Sequence, residues 1–112
     1  MTRTRRDPNV ASASALAAGL RILSFCASHP GMVGRLRLAR ILTGGISEED
    51  LDRGVQFSPD DAVSDMQPET MLALIDGMIA DGQLVKTYGD RPRLALTRRG
   101  FAVLTTIEPR QP

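Results

Sequence analysis

Several kinds of chemistry lack raw material in this chain. It holds one cysteine, Cys26, and one histidine, His29. A single thiol excludes an internal disulfide and any zinc site built on several thiolates. Cys26 lies in an apolar helical stretch, where a buried structural thiol is expected rather than a nucleophile. His29 precedes Pro30-Gly31 at a helix end, a place for a C-terminal cap or a surface group rather than a general base. No P-loop, G-x-G-x-x-G, H-E-x-x-H or nucleophile context occurs. The paired carboxylates Glu48-Glu49 and Asp60-Asp61 fall in a loop with nothing to hold them at a productive separation. The sequence reads as non-enzymatic, with no metal and no cofactor. No apolar run approaches the ~20 residues needed to span a membrane, and the N-terminus lacks the apolar core of a secretory signal. The expected location is the cytoplasm, at the nucleoid if the source is bacterial.

What is present is unevenly charged. A chain of 112 residues is long enough for one core and short for a two-domain enzyme. The formal net charge of +1 hides a segmentation. Residues 1–45 hold seven Arg against Asp7, residues 46–90 hold Arg53 and Lys86 against eleven carboxylates, and residues 91–112 hold five Arg against Glu108. Thirteen of the fourteen cations are Arg, whose planar donor fork matches phosphate and carboxylate. A GC-rich coding sequence produces the same bias without a binding role.

Thr2 to Asn9 is polar and Arg-rich, with Pro8 against regular structure. It reads as a mobile arm, either phosphate-seeking or solubilising. Ser14 is the expected N-cap of a first helix whose apolar stripe is Leu16, Leu20, Leu23 and Ala27, broken by His29-Pro30-Gly31. A second helix is expected from Val33 or Gly34 to Leu42, with Leu36, Ala39 and Leu42, joined by Leu38 and Ile41, on its core face. Arg35, Arg37 and Arg40 project from the same segment. They can touch a phosphate backbone, or solvate the surface and pair with Glu48, Glu49 or Asp50. Residues 43–67 are acidic and mostly irregular, with Ser47-Glu48-Glu49-Asp50 capping one turn and Val55 and Phe57 anchoring the loop. Such a loop repels DNA, orients it on the basic side, or contacts a basic protein; as a plain connection it is simply solvated.

Residues 68–104 carry the most information. Met71, Leu74, Ile75, Met78 and Ile79 follow the spacing of one apolar helical stripe. Pro68 and Glu69 suit its first turn, and Gly82 suits its end. Leu84–Tyr88 and Arg93–Thr97 then read as strands joined by Gly89-Asp90-Arg91-Pro92, strong turn chemistry with a basic tip. Helix, hairpin and closing basic segment, in that order, give an α+β winged helix: a helix-turn-helix core with a C-terminal β-hairpin wing. It is expected over residues 14–106, between the arm at 1–13 and a flexible tail at 107–112.

From about Ala15 to Leu104 the sequence resembles the RecQ C-terminal domain, the winged-helix module of RecQ-type DNA helicases. Three stretches carry the resemblance. They are His29–Gly34 leading into Leu38-Ala39-Arg40-Ile41-Leu42-Thr43-Gly44-Gly45, then Thr70–Leu84, and finally Leu94-Ala95-Leu96-Thr97-Arg98-Arg99-Gly100. The resemblance implies binding to duplex DNA at a fork or junction, largely through phosphates, with the wing at the duplex end. Some family members stack a wing aromatic on the terminal base pair. Tyr88 is the candidate here, unless it packs half-buried on the sheet. Where the family often has an Arg-Gly-Ser type segment, this chain has Thr43-Gly44-Gly45 followed by carboxylates. The motor and the four-cysteine zinc module that precede the domain in that family are not in this sequence. The implied form is a stand-alone adaptor working with a helicase or repair protein.

The expected DNA contacts are Arg35, Arg37, Arg40, Thr43, Lys86, Tyr88, Arg91 and Arg93, with Arg98 and Arg99 adding phosphate contacts. Two other readings stand beside this one. A transcription regulator would insert its third helix into the major groove, but that helix presents an acidic face. A protein-interaction winged helix without DNA binding fits the acidic middle of the chain.

Overall fold

The first helix, α1, spans Pro8–Ser28, in a computed structural model that describes residues 8–107. It starts at Pro8 rather than at Ser14. Proline is well placed in a first helical turn, where its missing N–H would have no partner, and the Ala-Ser run that follows contains no helix breaker. Residues 1–7 and 108–112 lie outside the described residues; of the arm expected at 1–13, residues 8–13 are helical, and of the tail expected at 107–112, Ile107 is helical. The buried stripe of α1 is also rotated from the expected one. Ala18, Ile22, Phe25 and Cys26 are buried with Leu23, while Leu16 is 61% exposed and Ala27 is exposed. A helix apolar around most of its girth does not declare its inner face; its partners α4, α5 and β2 select it.

His29 ends α1 from the inside, being buried rather than at the surface. Its Nδ1 lies 3.0 Å from the Phe25 carbonyl, and the Gln56 N–H donates to Nε2 at 2.9 Å. A nitrogen that accepts from an amide carries no proton, so Nδ1–H is the donor to Phe25. The ring stacks on Phe25 at 4.0 Å. Burial pushes the Cys26 thiol up to about 12, which leaves it inert.

The second helix, α2 (Arg35–Leu42), buries Leu38, Ala39, Ile41 and Leu42. Leu36, expected on the core face, is 65% exposed. It sits two residues from Leu38, about 200° around the helix. Residues 43–67 hold a short helix, α3 (Glu48–Asp52), and a 3-10 turn at Pro59–Asp61. Val55 is buried, Phe57 packs edge-on to Phe25 at 6.0 Å, and the Val63 N–H donates to the Leu42 carbonyl. The loop is anchored where expected.

The fourth helix, α4 (Pro68–Ala80), has Pro68 in its first turn and buries Met71 and Ile75. It ends in a Schellman arrangement: Gln83 N–H to the Met78 carbonyl, Gly82 N–H to that of Ile79, and Gly82 at φ 83. Strands β1 (Leu84–Lys86) and β2 (Leu94–Leu96) pair antiparallel, with Leu84 opposite Leu96 and Lys86 opposite Leu94. They are shorter than expected, although Thr87 and Arg93 continue the pairing through Thr87 N–H to the Arg93 carbonyl. On the far edge of β2, Gly31 donates to the Leu94 carbonyl and Leu94 to that of Val33. The chain before α2 thus lies along the hairpin as a third extended segment. The last helix, α5 (Arg98–Ile107), is capped by the Thr97 hydroxyl, which accepts from Gly100 N–H at 3.0 Å.

The described residues therefore form a mixed α+β fold of five helices and one antiparallel hairpin. None of those helices is long and apolar enough to cross a membrane.

Two glycines in helices have opposite surroundings. A β-carbon on Gly100 would collide with the Gln83 carbonyl and the Leu96 side chain, whereas one on Gly77 meets open space. Gly100→Ala is expected to destabilise the fold by about 1–3 kcal/mol. Gly77→Ala is expected to stabilise it by about 0.5–1 kcal/mol. Denaturant unfolding of both variants checks the pair, and a neutral Gly100→Ala would refute this packing of α5.

Candidate nucleic-acid interface

The hairpin and the start of α2 enclose a basic groove. Gly34 brings the chain into α2 in an extended conformation and offers no side-chain cap to the first N–H groups at the positive end of the helix. Arg35 and Arg37 project from that first turn, Arg53 comes from the end of α3, and Lys86, Arg91 and Arg93 come from the hairpin. These six cations line a recess of about 390 Å³, and no carboxylate lines it among the described residues. An adjoining recess, reached past Arg37 and Arg53, contains Asp50.

Three of the six cations have a carboxylate of their own. Arg35 holds Asp76 of α4 with a two-point fork, Nε to Oδ1 at 2.7 Å and Nη2 to Oδ2 at 2.8 Å. That hydrogen bond is the main cause holding the Asp76 carboxyl below its usual range and the Arg35 guanidinium above its own. Burial opposes both shifts, and the charge of Lys86 adds to that on Asp76. Arg53 pairs with Glu49 at 2.8 Å across one helical turn. Both pairs lie open to water, where screening leaves them weak and exchangeable. Lys86, Arg91 and Arg93 make no ion pair among the described residues.

The third pairing is of another kind. The Asp50 side chain is 0% exposed and accepts from Arg37 at 2.5 Å, from Arg40 at 3.1 Å and from the Ser47 N–H at 2.9 Å. The Asp50 N–H in turn donates to the Ser47 hydroxyl, completing a capping box on α3. Burial on its own would raise the Asp50 pKa. The Ser47 N–H outweighs it together with Arg37, the Ser47 side chain and Arg40, and the result is about 2. Of the alternatives for Arg37 and Arg40, the pairing with Asp50 is the one found.

The sequence-predicted contacts therefore divide. Arg35, Arg37, Lys86, Arg91 and Arg93 share the groove. Arg40 does not line it; its guanidinium converges with that of Arg37 on Asp50 and also donates to the Gly45 carbonyl. The Thr43 hydroxyl donates to the carbonyls of Ala39 and Arg40 in its own helix. Tyr88 is 101% exposed near the hairpin tip rather than half-buried on the sheet. Arg98 and Arg99 sit at the start of α5 outside the groove, with Arg99 3.4 Å from Asp81. Arg53 was missed. It follows Asp52 within the acidic segment, and only the fold carries α3 back beside α2; the i, i+4 match with Glu49 is the one local signal.

No protein family, curated protein or solved structure matches the chain.

Asp50 links the groove to pH. Its folded value lies below the ordinary 3.8, so its stabilisation is complete above that range and drains as pH falls from about 4 towards 2. The amount is roughly 2 kcal/mol. Asp50→Asn is expected to lose this at neutral pH and to show a flatter acid limb. Urea unfolding at a series of pH values checks it, and parallel wild-type and variant profiles would refute the assignment.

Proposed function

We propose that the chain is a non-catalytic DNA-binding module of winged-helix type, similar to the RecQ C-terminal domain, gripping duplex or fork DNA mainly through phosphates. The six-cation groove between α2 and the hairpin carries this reading. The order of elements supports it: α1, an extended segment at 31–33, α2, α4, then β1 and β2, with the extended segment hydrogen-bonded to β2. In a winged helix α4 would be the recognition helix. Its exposed positions Glu69, Thr70, Ala73, Gly77 and Ala80 include no cation, and Asp76 adds a negative charge beside them. A helix so equipped is poorly suited to lie between phosphates in a major groove. Contacts through the wing and α2 fit better and imply weak sequence preference. Such a domain suits an adaptor that brings a helicase or repair protein to DNA.

A second reading rests on one observation. Arg35, Arg37 and Arg40 are all engaged by the protein's own carboxylates. A protein-interaction module without DNA binding would show the same internal pairing, in which Asp76 and Asp50 offset two of the three charges.

Arg91 and Arg93 separate the two readings, because replacing Arg37 or Arg40 would strand the buried Asp50. Binding to labelled blunt duplex, forked duplex and single strand is measured by fluorescence anisotropy at low and physiological salt. Affinity is expected to fall steeply with salt. The double variant Arg91→Glu, Arg93→Glu should lose at least about tenfold, with a salt slope shallower by about one per phosphate contact removed. Absence of binding to all three DNAs would favour the interaction module.

Tyr88 gives a separate expectation. A ring on an exposed hairpin can stack on a terminal base for about 1–3 kcal/mol. Tyr88→Ala should lower affinity for duplex ends and forks while leaving thermal stability unchanged, since the side chain packs on nothing. Equal loss on DNA without accessible ends would count against end stacking.

A further inference from the structure

The basic groove has two properties that contact with a continuous phosphate backbone does not call for. Its volume of about 390 Å³ falls within the roughly 300–1,000 Å³ of small-molecule sites. It also has an apolar wall, formed by Met32, Leu36 and Pro92. Leu36 is 65% exposed on a helix whose other leucines are buried, so the core does not account for it. We propose that the groove seats a single nucleotide unit through a terminal phosphate, with the phosphomonoester on the cations and the nucleoside against Leu36, Met32 and Pro92. The nucleotide unit is either the phosphorylated end of a nucleic-acid strand or a free nucleotide. The first source rests on the DNA-binding reading; the second does not.

Charge favours a terminal phosphate over an internal one. A phosphomonoester carries about −1.5 to −2 at neutral pH, against −1 for a phosphodiester. Lining the same groove are Lys86, Arg91 and Arg93, which have no ion-pair partner among the described residues, and the first turn of α2, whose N–H groups no side chain caps. Arg35 and Arg53 also line the groove, each held by an exposed carboxylate that a more highly charged anion can displace. Shape agrees with charge. An internal phosphate on a duplex leaves its base stacked and the apolar wall wet, whereas a terminal nucleotide brings a nucleoside that covers it.

The test compares short oligo-dT strands with a 5′-phosphate, a 3′-phosphate or neither, each labelled at the opposite end, by fluorescence anisotropy. Alongside, NMR titrations use dTMP, thymidine and inorganic phosphate. One phosphorylated end is expected to bind at least about tenfold tighter than the unphosphorylated strand. That advantage should vanish in Arg91→Ala, Arg93→Ala and shrink in Leu36→Ser, a substitution at an exposed site that leaves the core intact. dTMP is expected to shift the Leu36 methyl signals at concentrations where thymidine and inorganic phosphate do not. Equal binding of all three strands without a dTMP response overturns this proposal and leaves the DNA-binding reading standing. Response to dTMP without binding to any strand supports the groove as a free-nucleotide site, and the duplex and fork titrations described above then decide the DNA-binding reading separately. Inorganic phosphate acting as strongly as dTMP overturns it, because the nucleoside would then contribute nothing.

Discussion

A buried carboxylate with two arginines on it organises this molecule. Asp50 has no access to water, and an ionised group in that position is tolerable only because Arg37, Arg40 and the Ser47 N–H surround it. The same residue closes the capping box that makes five residues of an acidic loop helical. Two consequences reach the groove. Arg37 is held among its lining residues, and α3 is fixed so that Arg53, just beyond its end, lines it too. The rest of the loop is attached by Val55, by Ile46, Phe57, Val63 and Met66 packed against the core, and by the hydrogen bonds of Gln56 to His29 and of Val63 to Leu42.

The segmented charge of the sequence becomes a division of labour in three dimensions. The acidic middle supplies internal counter-ions: Asp50 to α2, Asp76 to Arg35, Glu49 to Arg53 and Asp81 to Arg99. The hairpin, which begins at the end of the acidic block, keeps Lys86, Arg91 and Arg93 without such partners among the described residues. A chain with a net charge near zero thereby shows a concentrated positive site. Net charge says little about partners, whereas the placement of compensating carboxylates says much.

Local signals read well where they were self-contained. The stripe from Met71 to Ile79, Pro68 at its start and Gly82 at its end define α4 to the residue, because period, cap and terminator agree. The hairpin around Gly89–Pro92 and the capping box at Ser47–Asp50 were legible for the same reason. Legibility failed where tertiary contact chose between local equals. Both flanks of α1 are apolar, so Leu16 and Ala27 were as plausible inside as Ile22 and Cys26. Leu36 looked like core because α2 is too short for its period to be decisive. Arg37 and Arg40 had two local readings, contact with phosphate or a pair with Glu48, Glu49 or Asp50, and only the fold selects Asp50; nothing local places Arg53 beside α2.

The difference between the two kinds of ion pair bears on how the groove meets an anion. Pairs open to water exchange at little cost, since a released carboxylate is resolvated at once. Arg35 and Arg53 can therefore turn from Asp76 and Glu49 towards an incoming phosphate, and the pairs serve meanwhile to hold the guanidinium groups near their working positions. Asp50 cannot exchange in this way, because freeing it would leave a bare charge in the interior. Arg37 would meet an anion while still bound to Asp50, although two arginines on that one carboxylate leave a net positive charge between them. The groove thus combines hairpin cations unpaired among the described residues, exchangeable pairs at Arg35 and Arg53, and the anchored Arg37. Among its lining residues the hairpin cations are the ones that no carboxylate engages, so an anion held there would gain most of its attraction from them.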